Sequence, residues 1–325
     1  MNRFAQIISR FLPLWVGLDI VLALGAGYFF PALKPLERLV PLFLFFMLYP
    51  MMINLKIEEV GKAFKSPKLL SAAVFLNFLV TPIIGWIWAQ LFFSGTEAYL
   101  LTGFILKTLV PGSGMVAAWT GYAEGKVESA LVIIAVSMLL SVVFVPFWMW
   151  LLAGAYVTIN PMVILKSMVM IVIAPLLAGV LTRRWILRRY GPQKFRAVAP
   201  FFPVVSTCGM LAMLFIIISS QAGFIGDNLF WMFLIIAGIS TMYPLLFGLS
   251  LVFSKVARID YGDAMALGFS ITAKSHVITI GVAATAFHGT MAVLPAAVAP
   301  IIQIPLMLLI LKSSGLIKSF LSPKP

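Results

Sequence analysis

The apolar and polar positions of this chain fall into long apolar blocks joined by short, mostly basic stretches. A helix crosses the hydrocarbon of a bilayer with about 20 apolar residues. Ten blocks approach that length: 14–30, 36–55, 69–93, 98–121, 128–152, 161–181, 201–221, 229–253, 263–287 and 291–311. Pro31 stops the first, Ser66-Pro67 opens the third, and Thr182-Arg183-Arg184 ends the sixth. Two blocks are not uniform. The fourth carries Lys107-Thr108-Leu109-Val110-Pro111-Gly112-Ser113-Gly114 at its middle, and the ninth carries Thr272-Ala273-Lys274-Ser275-His276. A lipid-facing helix does not break at mid-depth, because its freed N–H and C=O groups would find no partners in hydrocarbon. Both blocks are therefore expected to be broken helices lining a polar cavity. Interrupted hydrophobic segments in corresponding places of two halves point to the binding site of a secondary transporter.

Composition agrees with the blocks. The chain has 325 residues, 62% hydrophobic and 10% charged, with a mean hydropathy of +1.09. Soluble domains are about a quarter charged, so the expected class is an all-α polytopic membrane protein. A net charge of +13 invites a nucleic-acid reading, which the distribution of the basic residues argues against. With ten spans, eighteen of the 23 lysines and arginines fall on one side, Lys34 and Arg38 fall on the other, and Lys107, Lys166 and Lys274 lie within spans. Basic loops face the cytoplasm. Both termini are thus expected there, in a multi-pass protein of the cell membrane whose surroundings are lipid and not nucleic acid. Arg3 and Arg10 precede an apolar run without the small-residue cleavage site of a secretory signal.

The neutral link 153–160 divides the ten spans into five and five: residues 1–155 and 156–325. An odd number per half makes the second half enter from the opposite side, so the expected architecture is two inverted five-helix repeats with helices four and nine broken. Gly103-Phe104 and Gly268-Phe269 stand at the same distance before the two interruptions.

Lys107 and Lys274 lie nine or ten residues from either end of their blocks, which at 1.5 Å per residue is roughly 14 Å of depth. A lysine stem snorkels comfortably only from the ends of a span. Of the ten acids only Asp19 falls well inside a span. Either the deep lysines sit as neutral amines that carry protons on and off, or the cavity is positive and receives an anion. Glycines at 112 and 114 allow close backbone approach, and the half-helix restarting at Met115 offers free N–H groups to an anion. Ser113 and Ser275 are candidate hydroxyl ligands, and His276 a ligand contact or proton relay. Thr108, Pro111 and Thr272 complete the candidate substrate and coupling set. Lys166 and Asp19 read as structural, and Cys208 as a packing residue. One cysteine and two histidines point to no disulfide, no metal centre and no cofactor. No phosphate loop, HExxH or nucleophile elbow is present, and no catalytic pair lies in the spans, so an enzyme is not expected.

The run Pro111-Gly112-Ser113-Gly114-Met115-Val116, with Trp119 after it, resembles the Pro-Cys-Thr-Ala-Met-Val…Trp motif of the arsenical-resistance permeases. Residues Ala174 to Arg183 resemble that family's sixth span, and Tyr261 to His276 its ninth. Those permeases share a superfamily with the bile acid:sodium symporters. The resemblance implies ten spans, an inverted repeat, panel and core bundles each drawn from both repeats, and broken helices crossing at the substrate site. The departures bear on function. The permease cysteine falls on Gly112, and its Asn-Asn-Phe-Glu falls on His276, Val277, Ile278 and Thr279. Bile acid symporters use a carboxylate and amides here for sodium, whereas Lys274 stands nearby in this chain. The expected function is secondary transport of a small anionic or oxyanion-like solute, arsenite-permease-like, independent of sodium and with protons as the candidate coupling ion. A sodium-coupled organic-anion symporter is the alternative, and an uncoupled channel or facilitator is the alternative from another class.

Overall fold

The computed structural model describes residues 12–54, 66–220, 222–227 and 229–321. Arg3, Arg10, Lys56, Lys62, Lys65 and Lys324, used in the topology count, lie outside the described residues. Regular structure among the described residues is helical: α1 Leu12–Phe29, α2 Val40–Asn54, α3 Pro67–Phe93, α4 Ala98–Leu109, α5 Met115–Tyr122, α6 Val127–Ala153, α7 Pro161–Val198, α8 Phe201–Ser220, α9 Ala222–Asp227, α10 Leu229–Val256, α11 Tyr261–Thr272, α12 His276–Ala286, α13 Leu294–Lys312 and α14 Ser314–Leu321. Among the described residues six helices are long and apolar enough to cross a membrane: α3, α6, α7, α8, α10 and Met291–Lys312, which adds one 3₁₀ turn to α13. Blocks four and nine are broken as expected, into α4 with α5 and α11 with α12.

Two blocks differ from their expected bounds. Block two was expected from residue 36, but Pro31–Leu39 is a 3₁₀ helix and the α-helix begins at Val40. Pro35 lies inside that 3₁₀ segment, and Pro41 stands in the first turn of α2, where a missing N–H is tolerated. Block six ends its apolar run at residue 181, but α7 continues to Val198, interrupted only at Gly191 with φ 78° and ψ 169°. Arginine is a good helix former, so Arg183 and Arg184 end the apolar stretch without ending the helix.

Prolines also explain two π-helical turns. Leu76–Val80 in α3 precedes Thr81-Pro82, and Val169–Ile173 in α7 precedes Ala174-Pro175. A proline within a helix lacks a donor and crowds the carbonyl four residues back, and a wider turn relieves both effects.

Small residues set the closest approaches. α2 packs against α7 and α8, and α8 also packs against α1. A Cβ at Gly179 would lie 2.7 Å from the Met52 backbone, and one at Gly209 would lie 2.9 Å from the Met47 nitrogen. In a bilayer such contacts replace the hydrophobic drive between helices. Elsewhere α10 packs on α11 and α13, α4 on α3 and α6, and α12 on α13, α2, α4 and the start of α7. Residues 100–109 of α4 and 264–272 of α11 are all buried. These half-helices are enclosed by protein, which is where irregular backbone at membrane depth is tolerated.

Candidate functional site

α4 ends because Val110, which precedes Pro111, adopts an extended conformation, φ −66° and ψ 154°. α11 ends at Thr272, and Ser275 caps α12 by accepting a hydrogen bond from the Ile278 N–H at 3.3 Å. The two breaks cross antiparallel through a single bridge, with Gly112 opposite Lys274. The Ser113 N–H donates to the Ala273 carbonyl at 2.8 Å, and the Ser275 N–H donates to the Pro111 carbonyl at 3.0 Å. Each break thus supplies partners that the other lost when its helix ended.

Both deep lysines meet at this crossing. Lys107 is 0% and Lys274 1% exposed. The Lys107 Nζ donates to the Lys274 carbonyl at 3.2 Å, and the Lys274 Nζ donates to Asn77 Oδ1 at 2.9 Å. Asn77 lies in the π-helical turn of α3; its Nδ2 donates to the Ala73 carbonyl at 3.1 Å and to Ser270 Oγ at 3.3 Å. An ammonium has three N–H groups, and each lysine uses one of them on a neutral oxygen. No carboxylate pairs with either lysine among the described residues.

The ten sequence candidates divide into two groups. Lys107, Thr108, Pro111, Gly112, Thr272, Lys274 and Ser275 are buried in the crossing. Ser113 and His276 are partly exposed and Gly114 is exposed, so these three lie on its open side. Thr108 donates to the Ile105 carbonyl at 2.7 Å and Thr272 to the Gly268 carbonyl at 2.8 Å, so both hydroxyls bond back to their own helices. The Ser275 hydroxyl is occupied as a cap. Ser113 Oγ and His276 Nδ1 have no hydrogen-bond partner among the described residues, although both atoms are shielded.

Sequence reasoning missed Asn77 and Ser270. Asn77 carried a usable signal: an amide at mid-block in an otherwise apolar stretch meets the same depth argument as a lysine. Lys166, read as structural, is exposed in the second turn of α7. One single-residue reading needs correction. Cys208 is exposed on α8, not packed inside. Asp19 is half-buried, and its Oδ2 has no partner among the described residues.

Beyond the spans, Lys126 joins the end of one broken helix to the start of the other. Its Nζ lies 2.7 Å from Asp260 Oδ2 and 2.9 Å from Asp263 Oδ2, and its N–H donates to the Gly262 carbonyl at 3.1 Å. Hydrogen bonds to Asp260 and then Asp263 raise the Lys126 ammonium above its ordinary value. Burial pushes the Asp260 carboxyl up, but its hydrogen bonds with Lys126 and Asp263 outweigh this and leave it below the usual value.

The sequence pattern of the Sodium Bile acid symporter family matches residues 41–228. The chain belongs to the Sodium Bile acid symporter family. Among its relatives, an uncharacterised transporter of Synechocystis is 25% identical over 94% of this chain and 88% of its own length. The arsenical-resistance protein Acr3 of Alkaliphilus metalliredigens is 27% identical over 94% of this chain and 92% of its own. A probable chloroplastic sodium/metabolite cotransporter of rice, BASS1, is 23% identical over 92% of this chain and 71% of its own. The resemblance read from the two broken blocks is borne out. The chain is a transporter of this family and a multi-pass membrane protein, and it is not an enzyme.

Proposed function

We propose that the chain is a secondary active transporter of a small anionic or oxyanion-like solute that works without sodium. One observation carries this reading. Two lysines are buried at the crossing, and among the described residues their Nζ atoms hydrogen-bond only to a carbonyl and an amide oxygen. Desolvating an ammonium costs several kcal/mol, by order of magnitude, unless a countercharge offsets it. An arriving anion supplies that countercharge. Ser113, Gly114 and His276 on the open side, with the starts of α5 and α12, are the groups it meets. The Lys274 Nζ takes the oxygen of Asn77, an amide of the kind that resemblance assigns to sodium, so a fixed ammonium serves in place of a bound cation. Protons released and regained at Lys107 or Lys274 provide the coupling. In this reading the ten blocks span the cell membrane as two inverted repeats, 1–155 and 156–325, with both termini in the cytoplasm. One bundle rocks against the other around the crossing.

A second reading, sodium-coupled symport, is favoured by the likeness to chloroplastic proteins described as probable sodium/metabolite cotransporters. Purified protein in proteoliposomes separates the two. Uptake of arsenite and of small organic anions is measured with and without a sodium gradient, at two pH values. The expected result is concentrative anion transport that follows the pH gradient and ignores sodium. Sodium-dependent uptake that survives Lys274→Ala would overturn the proposal. Uptake that only equilibrates, under any gradient, would indicate an uncoupled facilitator.

A further inference from the structure

The most concentrated charge on the molecule lies away from the crossing, on the extension of α7. No Asp or Glu occurs between Glu128 and Asp227, while residues 183–196 hold Arg183, Arg184, Arg188, Arg189, Lys194 and Arg196. Loop charge alone directs topology, but this segment also has a built shape. The apolar face of α7 ends at Leu181, which is exposed, and the helix continues outward. At 1.5 Å per residue, Arg184 and Trp185 stand about 5–6 Å beyond Leu181, and Arg188 stands about 10 Å beyond it. The headgroup layer is about 5–8 Å deep on each side of the hydrocarbon. These side chains therefore span the depth of the phosphates.

Gly191, at φ 78°, then turns the chain back. The return brings the Phe195 ring against Arg183, 5.1 Å from its guanidinium carbon, and the Lys194 Nζ 5.4 Å from the Tyr190 ring, while Trp185 meets Tyr190 edge-on at 5.5 Å. Leu181, Arg184, Trp185, Arg188 and Arg189 line an open hollow of about 420 Å³. Arg184, Arg188 and Arg189 are exposed, and no hydrogen bond or ion pair engages them among the described residues.

We infer that this hollow is a binding site for the phosphate-bearing headgroup of an anionic phospholipid. Guanidinium groups chelate phosphate oxygens in pairs. The exposed indole of Trp185 sits at the depth where such rings anchor, and Leu181 offers an apolar start for the acyl chain. The crossing site plays no part in this inference.

The test uses the full-length protein. Native mass spectrometry counts phosphatidylglycerol and phosphatidylcholine retained after extraction from vesicles holding equal amounts of both. The unaltered protein retains phosphatidylglycerol preferentially, and R184Q/R188Q/R189Q lowers that retention about tenfold or more without changing phosphatidylcholine. Equal retention by the variant overturns the site. A photoactivatable phosphatidylglycerol on the unaltered protein provides a second measurement that does not depend on the variant folding. Crosslinks within residues 181–196 support the site, and crosslinks confined to other segments overturn it. Inorganic phosphate is the control for the source: displacement of the lipid at millimolar phosphate would mean a free-anion site and would also overturn the assignment.

Discussion

The Lys274 ammonium, carried on the break between α11 and α12, donates to the Asn77 side-chain oxygen on α3 at 2.9 Å. This bond ties the crossing to a helix from which the sequence reading drew no candidate residue. Asn77 is itself held by the Ala73 carbonyl and the Ser270 hydroxyl, so its oxygen is fixed toward Lys274. Asn77→Ala removes that acceptor and leaves a buried donor unmet. The expected loss is about 2–3 kcal/mol, read as a lower melting temperature of the solubilised protein, together with at least tenfold slower transport. Asn77→Asp keeps the acceptor for Lys274 but loses the Nδ2 donor to the Ala73 carbonyl and the Ser270 hydroxyl and neutralises the local positive charge, so it is expected to melt below the unaltered protein and to lose anion uptake. Equal melting of Asn77→Ala and the unaltered protein would remove the structural role of this bond.

Lys107 separates stability from function. Among the described residues its Nζ makes one bond, to the Lys274 carbonyl at 3.2 Å. Replacing a buried ion by an apolar side chain of similar volume is often neutral or stabilising, by about 1–4 kcal/mol. Lys107→Met is therefore expected to melt at the same temperature or higher, and to lose transport by more than tenfold. Unfolding of this variant would mean that the ammonium is a structural strut. Full transport would mean that it has no part in binding or coupling.

The closeness of the crossing accounts for the residue at 112. A Cβ there would lie 2.9 Å from the Ser270 carbonyl and 3.0 Å from a Val116 methyl. The first contact is backbone and yields little. The permease cysteine that this position lacks relative to the motif it resembles therefore does not fit without moving α5 away from α11. Gly112→Cys is expected to lower the melting temperature, by an overpacking cost of about 1–3 kcal/mol, and to confer no arsenite transport. Arsenite efflux by the variant at normal stability would show that the crossing adapts.

The parts of the fold visible in the sequence were those that a bilayer dictates. Broken helices at residues 110–114 and 273–275 follow from proline, glycine and lysine at mid-depth, and the structure places the breaks there. The paired Gly103-Phe104 and Gly268-Phe269 proved to be contact points. A Cβ at Gly103 would overlap the Ala292 carbonyl, and one at Gly268 would lie 2.7 Å from the Phe247 ring. The partners in the crossing were not visible. Asn77 and Lys274 are 197 residues apart, and only tertiary packing brings them together. The fates of the Thr108, Thr272 and Ser275 hydroxyls were equally hidden, because a hydroxyl in a helix chooses between its own preceding carbonyl and a ligand by a rotamer that sequence does not encode. The length of α7 was misjudged because an apolar run measures the bilayer and not the helix.

The link at Lys126 gives a prediction in pH. Its ammonium is raised by hydrogen bonds to Asp260 and Asp263, so its contribution to stability is complete below the ordinary lysine value of 10.5 and disappears as pH rises through the folded value above it. Burial raises the Asp260 carboxyl, but its hydrogen bonds, led by that from Lys126, carry it below the ordinary 3.8. Its contribution is therefore present above 3.8 and disappears as pH falls through the folded value. The stabilising window runs from about pH 4 to about pH 10. Lys126 and Asp260 are half exposed, at 50% and 55%, so solvent screening limits the gain to about 0.5–1 kcal/mol. Lys126→Gln is expected to melt slightly below the unaltered protein at pH 7, and the gap should narrow at pH 3 and in high salt. The backbone bond from the Lys126 N–H to the Gly262 carbonyl survives the substitution, which keeps α5 and α11 joined while the charge is removed. A gap of the same size at pH 3 and pH 7 would mean that the lysine stem, and not its charge, holds the two broken helices together at this end.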